Sequence, residues 1–395
     1  MTQLYTVAIQ PICDTVFRHH ADSLLYRHAA HATTADVENP TLATARAIMV
    51  AIYEIGLDAL VGQRTLHVRV TAEWLLNNSL NLICDPRLVF DVDHSTLASL
   101  LNRVSHDELP WNLCLVTDAI PESSPHSSIH AIKLQYSAAL NSHDLTRWQR
   151  QNPNVRMIAS HVSTMADFQT AKSMGFDLFQ GYFYAPALNQ DIAMPEQRQI
   201  NHSVIRLLAE VQKPEPEIAV LEALLAQHPR ILLLLLKQAN QAAHGTVKVV
   251  ESLRQALVRL GLNHVRILIS AFSLAQGEPQ KALLLPDVLT KAAFCRQVAA
   301  TDRALDPDRA FTVGLFSTLD QSLRLPMADI LAQLHIDNEM ENALLEHTGR
   351  YGRLLLLIEA YAKGQLINID PKKVAYLNKQ FLLARQWAQT LLASM

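Results

Sequence analysis

The sequence is poor in several residue types, and each shortage excludes a class of protein. Only 11 of the 395 residues are glycine and only 18% are charged, whereas 49% are hydrophobic. These values exclude collagen-like, low-complexity and disordered chains. A chain of this length is expected to form two or three domains, each with its own buried core.

Neither sign of charge is in excess. The chain has 34 Lys and Arg residues against 37 Asp and Glu residues, which gives a net charge of −3. This total hides a charge of −6 through residue 200 and +3 beyond it. Because a chain so close to neutral has no surplus of positive charge, we do not expect it to bind nucleic acid.

Cysteines and long hydrophobic runs are also scarce. The four cysteines, Cys13, Cys84, Cys114 and Cys295, are widely separated and form no CxxC pair. Their spacing predicts neither a disulfide framework nor a zinc knuckle, and it favours a reducing compartment. The N-terminus has no basic stretch before an apolar run, and the longest aliphatic run, residues 231–236, is too short to cross a bilayer. We therefore expect a soluble cytoplasmic protein without a membrane segment.

The first half of the chain alternates short β-rich runs with helix-length segments. Strands are predicted at residues 5–11, 23–27, 65–70, 87–92, 112–117, 131–136, 155–159 and 177–180. Helices are predicted at residues 40–55, 94–104, 138–151 and 164–174. This alternation is typical of βα units around a parallel sheet, and eight strands favour a TIM-type βα barrel.

Beyond residue 195 the pattern becomes almost wholly helical. Leu and Ala recur at helical spacing, with Pro and Gly at the breaks. The runs LLLLLK and RLLLLIEAYA predict a central helix that is buried on nearly all sides. The sequence thus predicts an α/β barrel domain over residues 1–195 and an all-α helical bundle over residues 201–395.

The segments at the strand ends carry a family resemblance. In order they read VAIQPICD, SLLYRHA, HVRVTAEWL, LVFDVDHS, LCLVTDA, IKLQYSAA, MIASHVSTMADF and AKSMGFDLFQGYFYAPA. Together they resemble the EAL domain, a barrel family that hydrolyses cyclic di-GMP, and the last segment is the most specific. The resemblance covers roughly residues 7–187 and places any chemistry at the carboxyl ends of the barrel strands.

The same resemblance implies that the catalytic positions have changed. The family hydrolyses its substrate with paired divalent cations, which need several carboxylate ligands. Ser23 stands where the family has a metal-binding Glu, and Arg69 stands where it has a metal-binding Asn. The other positions are Asp91, which keeps a carboxylate, Val116 and Thr117 in place of two adjacent Asp residues, Gln135 in place of an Asp, and Ser160 and Ser163 in place of two Glu residues. We therefore expect no catalytic residues, no metal, no cofactor and no enzymatic activity.

Residues that match the substrate-contacting positions of the family are better kept. Gln10, Arg27 and Gln180 match them, and Lys133 matches the catalytic lysine. The resemblance allows a residual pocket for cyclic di-GMP or another nucleotide, in which Arg27 could pair with a phosphate. Alternatively, these four side chains only satisfy buried polar groups at the strand ends, which we favour. Residual phosphodiesterase activity through Asp91 and Lys133 is a third hypothesis.

The helical half resembles an HDOD domain, a relative of the HD phosphohydrolases found in bacterial signalling proteins. The resemblance rests on HPRILLLLLKQANQAAHGTVKVVESLRQALVRLGLNHVRILISAFSLA and on LDPDRAFTVGLFSTLD, and it spans most of residues 203–392. Where an active HD enzyme has adjacent His and Asp metal ligands, this chain has Ser317 and Thr318. An EAL-like half followed by an HDOD half implies a non-catalytic bacterial signalling regulator. Such a protein would act by protein–protein interaction with signalling partners the sequence does not identify, and it could form a homodimer.

Three further patterns invite functional hypotheses. His126 and His130 are four residues apart but lie in a Pro/Ser loop that enters a strand, so we expect no metal site there. The segment VESLRQALVRLGLNHVRILI has the helix-turn-helix order of DNA-binding proteins, but its second helix becomes apolar and is expected to pack in the core. Cys13, near the first strand end, is expected to be a small buried hydrophobic residue.

Overall fold

The structure is a computed structural model that describes residues 5–28, 56–76, 85–103, 109, 111–122, 125–137, 139–184, 195–241, 249–274, 279–323, 325–334, 336–366 and 369–393. The chain divides into two compact units. The first contains Met1–Tyr184 and Tyr361–Leu382, and the second contains Ala185–Ala360 and Leu383–Met395. The sequence predicts one division between residues 195 and 201. The structure differs in assigning a segment near the C-terminus to the first unit.

Eight strands form a closed barrel in which neighbours along the chain are also neighbours in the sheet. They are β1 Tyr5–Asp14, β2 His19–His28, β3 Thr65–Arg69, β4 Leu88–Val92, β5 Leu113–Thr117, β6 Ile129–Gln135, β7 Arg156–Val162 and β8 Leu178–Gly181. All eight predicted strands are present, because each run is rich in the aliphatic and β-branched residues that strands favour. The prediction of an eight-stranded barrel is confirmed.

The prediction of a parallel sheet is wrong for the first strand. Strands β2 to β8 run parallel, whereas β1 is antiparallel to both β2 and β8. Only residues 15–18 separate β1 from β2, and parallel strands need a crossover of a dozen or so residues. The carboxylate of Asp14 closes this turn by accepting the N–H groups of Val16 and Arg18 at 2.8 and 2.9 Å.

Helices follow several of the barrel strands. They are α1 Leu57–Val61, α2 Ala72–Leu75, α3 His94–Arg103, α4 Ser142–Gln151 and α5 Met165–Ser173. Helix α4 begins later than predicted because the side chain of Asn141 caps it by accepting the N–H of His143. A reciprocal capping box between Thr164 and Asp167 begins α5. The helix predicted over residues 40–55 lies outside the described residues.

The barrel interior has an apolar layer below a polar one. The apolar layer contains Ile12, Ala21, Cys114, Ala131, Ile158 and Leu178. Side chains two residues apart on a strand point to the same face. The polar layer therefore begins two positions nearer the carboxyl ends of β2, β6, β7 and β8, at Ser23, Lys133, Ser160 and Gln180, with Gln10 at the same level on the antiparallel β1 and Val116 as its apolar neighbour on β5.

A segment near the C-terminus is attached to the first strand of the barrel. The hydroxyl of Tyr361 lies 2.7 Å from Oδ1 of Asn378 and 3.1 Å from the carbonyl oxygen of Val7. The N–H of Val7 lies 3.3 Å from both side-chain oxygens. Burial raises the pKa of the Tyr361 hydroxyl, so it stays protonated and able to donate. These bonds explain why Tyr361–Leu382 belongs to the first unit.

Helices make up the chain from residue 195 onward. They are α6 Pro195–Gln212, α7 Ile218–Ala226, α8 Pro229–Gln241, α9 Leu253–Leu260, α10 Leu262–Leu274, α11 Pro279–Ala299, α12 Pro307–Phe316, α13 Leu319–Leu323, α14 Met327–Leu331, α15 Asn338–Leu345, α16 Gly349–Ala362 and α17 Pro371–Ala393. Helices α11 and α12 pack closely at Gly314, where a Cβ atom would lie 2.8 Å from Sγ of Cys295. The predicted helical half is confirmed.

Two expectations about individual helices have opposite outcomes. Val265, Leu268 and Phe272 of α10 are buried, which confirms that the apolar face of this helix packs in the core. The expectation that the leucine-rich helices are buried on nearly all sides is wrong. Leu233 of α8 is 67% exposed and Leu356 of α16 is 49% exposed, because each helix turns one face to solvent.

No single helix in the described part of the chain is long and apolar enough to span a membrane. Helices α7 and α8 reach that length and hydropathy only when they are taken together across a bend of 119°.

Candidate functional site

An open cavity of about 690 Å³ lies at the carboxyl ends of the parallel strands. Its volume falls within the range of about 300–1,000 Å³ that is usual for ligand pockets. All eight strands contribute residues to its wall. Strands β5, β6 and β7 contribute Val116, Lys133 and residues 160–163. The mouth of the barrel therefore contains space, which the sequence could not establish.

Asp91 on β4 lies at the centre of the polar layer, where two basic side chains hold it. Its Oδ2 atom lies 2.5 Å from Nζ of Lys133, and its Oδ1 atom lies 2.8 Å from Nδ1 of His67. All three side chains are buried. Burial by itself would raise the pKa of Asp91, but the positive charge of Lys133 and the hydrogen bonds from Lys133 and His67 lower it below its usual range. Asp91 is therefore a carboxylate at neutral pH.

Two members of this cluster, His67 and Cys114, were not predicted from the sequence. His67 on β3 is buried, and burial lowers its pKa, so the imidazole stays neutral. Cys114 on β5 is fully buried beside Asp91, and burial raises the pKa of its thiol well above the usual value. The alternation of strand side chains could have revealed both. His67 lies two residues before Arg69, and Cys114 lies two residues before Val116.

Three of the four residues predicted for a residual pocket line the cavity together. They are Gln10, Lys133 and Gln180. Nε2 of Gln180 donates to Oε1 of Gln10 at 2.9 Å, and Oε1 of Gln180 is buried without a hydrogen-bond partner in the described part of the protein. Arg27 lies on β2 opposite Thr6, but its side chain is outside the described residues. Ligand binding by these residues stays a prediction.

The positions aligned with the metal ligands of the EAL family gather at the same mouth. Ser23, Arg69, Asp91, Val116, Ser160 and Ser163 line the large cavity, and Thr117 and Gln135 line an adjoining cavity of about 410 Å³. Among the described residues that line the large cavity, the acidic ones are Asp91 and Asp93. Each faces a cation: Lys133 faces Asp91, and Arg69 lies 3.6 Å from Asp93.

Backbone geometry fixes the rim of the cavity at β7 and β8. A Cβ atom at Gly181 would lie 1.8 Å from the carbonyl oxygen of Val162, so no larger residue fits where the two strands pass. His161 adopts φ of 61°, which is rare for a residue with a side chain, and its Nδ1 lies 3.2 Å from Oγ of Ser160. Tyr182 also lines the cavity and is 55% exposed.

Of the two histidines noted in the sequence, His126 lies just before β6 and His130 lies within it. Nδ1 of His126 accepts the N–H of Ser128, and the side chain of His130 on β6 is exposed. Among the described residues, His67, Asp91 and Cys114 form a group whose possible ligand atoms all lie within 4.8 Å of one another. Cys13 is buried, as expected from the sequence, and burial raises the pKa of its thiol to about 12.

Comparison with known proteins finds a family match within the helical part of the chain. Residues 198–346 match the HDOD domain. The chain is 29% identical over 252 residues to the cyclic di-GMP phosphodiesterase CdgJ of Vibrio cholerae, a match that covers 60% of this chain and 57% of CdgJ. It is also 23% identical over 407 residues to the uncharacterized protein YuxH of Bacillus subtilis, with 98% of each chain covered.

Solved structures of EAL domains are similar to part of this chain. The Xanthomonas citri FimX EAL domain in complex with c-diGMP is 15% identical, with a TM-score of 0.35, and the match covers 48% of this chain and 91% of that domain's chain. An EAL domain protein from Listeria monocytogenes is 17% identical, with a TM-score of 0.34, and the match covers 46% of this chain and 87% of that protein.

Within the HDOD region, the two residues at the positions of HD metal ligands bond to their own backbone. Ser317 caps the C-terminus of α12, and its hydroxyl donates to the carbonyl oxygen of Gly314 at 2.8 Å. The hydroxyl of Thr318 donates to the carbonyl oxygen of Leu315 at 3.1 Å. Both hydroxyls therefore satisfy carbonyl oxygens in the last turn of α12. A cavity of about 340 Å³ in this region is lined by other residues, among them Arg266, Asp308 and Asp337.

Proposed function

We propose that this protein is a non-catalytic regulator in bacterial cyclic di-GMP signalling that acts by binding other proteins. The match of residues 198–346 to the HDOD domain supports a signalling role. The similarity to CdgJ, which is named as a cyclic di-GMP phosphodiesterase, supports the connection to this nucleotide. The closed barrel with EAL-like strand ends supports an EAL-related first domain.

The composition of the cavity wall is the main observation that supports a loss of catalysis. Hydrolysis by paired divalent cations needs several carboxylates that converge on the ions. In this cavity Ser23, Val116 and Ser160 occupy aligned positions and carry no charge. Arg69 adds a cation at the mouth, and Lys133 already neutralises Asp91. Two divalent ions placed here would meet positive side chains and too few anionic ligands.

The helical region supports the same conclusion independently. Ser317 and Thr318 direct their hydroxyls to the carbonyl oxygens of their own helix, so they offer no pair of ligands to an HD-type metal. What each unit retains is a well-packed core and an extensive surface. A protein that keeps its folds while losing both ligand sets is suited to binding.

Loss of catalysis is tested with the intact protein, cyclic di-GMP and either Mg²⁺ or Mn²⁺. We expect no linear dinucleotide above the enzyme-free control, even at a high protein concentration. Turnover that disappears in both Asp91→Asn and Lys133→Met would contradict the proposal and favour the residual phosphodiesterase. Partner binding is tested by affinity capture with the intact chain, followed by gel filtration of the recovered complex. Absence of any stoichiometric partner beyond those of an unrelated bait would reject the interaction role.

A second candidate function is a sensor for cyclic di-GMP or another nucleotide, and the open cavity favours it. Gln10, Lys133 and Gln180 line about 690 Å³ of space, and Oε1 of Gln180 has no partner in the described part of the barrel. Isothermal titration calorimetry with cyclic di-GMP, with and without Mg²⁺, tests this function. The sensor requires saturable binding that weakens in Gln180→Ala. No heat and no thermal shift at high ligand concentration would reject it.

A further inference from the structure

Three buried side chains of different chemistry meet on consecutive strands of the barrel. His67 on β3, Asp91 on β4 and Cys114 on β5 offer one ligand atom each, and these atoms lie within 4.8 Å of one another. The three residues are 4%, 4% and 0% exposed. Barrel interiors at this depth are usually filled with branched aliphatic side chains. We propose that His67, Asp91 and Cys114 bind a single Zn²⁺ ion inside the barrel.

The ligand types select the kind of ion. Imidazole nitrogen, carboxylate oxygen and thiolate sulfur are all zinc ligands, with bonds of about 2.0–2.3 Å that put neighbouring ligand atoms about 3–4 Å apart. His67 Nδ1 and Asp91 Oδ1 are 2.8 Å apart, and the sulfur lies within the 4.8 Å limit. Small side-chain shifts therefore suffice to form the site. A sulfur ligand disfavours Mg²⁺, which prefers oxygen.

Binding of Zn²⁺ at this site would release a proton and leave the site without net charge. Asp91 now receives hydrogen bonds from His67 and from the thiol of Cys114. On binding, Cys114 would lose its proton to solvent, and the His67 proton would move from Nδ1 to Nε2. Zn²⁺ together with two anionic ligands is neutral, so one proton is released for each ion bound. Lys133 then keeps the positive charge that it has without the ion.

Neighbouring groups complete the environment of the ion. Lys133 binds Oδ2 of Asp91 and leaves Oδ1 facing His67, as an outer hydrogen-bonding partner does for a metal-bound carboxylate. Asp91 and Lys133 also border the large cavity, which gives water and the ion a route to the site. His67 and Cys114 correspond to none of the positions aligned with the EAL metal ligands. Asp91 is shared with those positions, so the zinc site is tested by the binding of the ion, separately from hydrolysis.

The test uses the intact protein after removal of metal with a chelator. One equivalent of Co²⁺ should produce a near-ultraviolet thiolate-to-cobalt charge-transfer band, and Zn²⁺ should bind with about one ion per chain, measured by plasma mass spectrometry. Cys114→Ser should lose the band, and His67→Gln should weaken binding by at least about 10-fold. The matched control is Cys13→Ser, which changes another buried barrel thiol and should leave both results unaltered.

Three results would overturn the proposal: no charge-transfer band in the wild-type protein with excess Co²⁺, a band that persists in Cys114→Ser, or a band lost in Cys13→Ser. Circular dichroism establishes whether each variant is folded. If a variant does not fold, X-ray absorption of the zinc-loaded wild-type protein decides instead. One sulfur neighbour at about 2.3 Å supports the site, whereas a shell of nitrogen and oxygen alone rejects it.

Discussion

Nζ of Lys133 lies 2.5 Å from Oδ2 of Asp91, and both side chains are buried in the polar layer of the barrel. The two residues are 42 positions apart in the sequence, on β6 and β4. In this contact the two buried charges neutralise each other. Hydrolysis by paired divalent cations would need carboxylates that are free to bind the ions. Each buried charge is therefore stable in the folded barrel only because the other one pairs with it.

Removal of Lys133 should therefore destabilise the barrel strongly. We expect Lys133→Met to lower the free energy of unfolding by about 3–5 kcal/mol, because Asp91 would remain as a buried carboxylate without its cation. Denaturant unfolding of the intact chain, followed by barrel tryptophan fluorescence, measures the change. Arg69→Met is the control, since Arg69 and Asp93 are 59% and 42% exposed and such pairs contribute about 0–1 kcal/mol. Equal effects of the two substitutions would contradict this prediction.

Gly181 should not tolerate a side chain. Gly181→Ala would place a methyl group 1.8 Å from a backbone oxygen of Val162, so the strands must separate. We expect a loss of at least about 1–3 kcal/mol, seen as a lower thermal midpoint. In the control Gly56→Ala, nothing lies within 4 Å of the added Cβ and only the positive φ of 89° costs energy, about 1 kcal/mol. An unchanged midpoint for Gly181→Ala would show that the strands can rearrange there.

The Tyr361 hydroxyl should protect the first strand of the barrel. Tyr361→Phe removes a partner of Asn378 and of the Val7 backbone, and unsatisfied buried polar groups cost about 1–3 kcal/mol. Hydrogen exchange measured by mass spectrometry should become faster for peptides that contain Val7. Tyr182→Phe serves as the control because Tyr182 is 55% exposed, and its exchange pattern should match the wild type. Identical exchange in both variants would contradict the role of Tyr361.

The thiols of Cys13 and Cys295 should react slowly with alkylating reagents in the native protein. Burial raises the pKa of each to about 12, so only on the order of one molecule in ten thousand carries the thiolate at pH 8. A raised pKa means that reactivity grows as the pH rises toward 12. Iodoacetamide labelling at pH 8, resolved by peptide mass spectrometry, should be slow in buffer and fast in guanidinium chloride. Rapid native labelling of either residue would disagree with the structure.

Local patterns account for most of what could be predicted. The runs that became β3 Thr65–Arg69 and β5 Leu113–Thr117 are short, aliphatic and bounded by polar residues, which is sufficient to predict strands. The antiparallel β1 was missed because the direction of a strand depends on how its turn closes. The turn between β1 and β2 depends on side-chain contacts of Asp14 and on a positive φ at Phe17, neither of which alternation reveals.

Alternation and motif order within the sequence determined the strands, the helical half and the positions that face the barrel mouth. The period of two places Ser23, Lys133 and Gln180 on inward faces, whatever the rest of the molecule does. Closure of the barrel decided which of those faces meet. It brought Lys133 and His67 to the two oxygens of Asp91, and it brought Cys114 beside them, although these residues come from four separate strands. Contacts between strands depend on register and barrel closure, which are properties of the whole sheet, so only the tertiary structure could decide them.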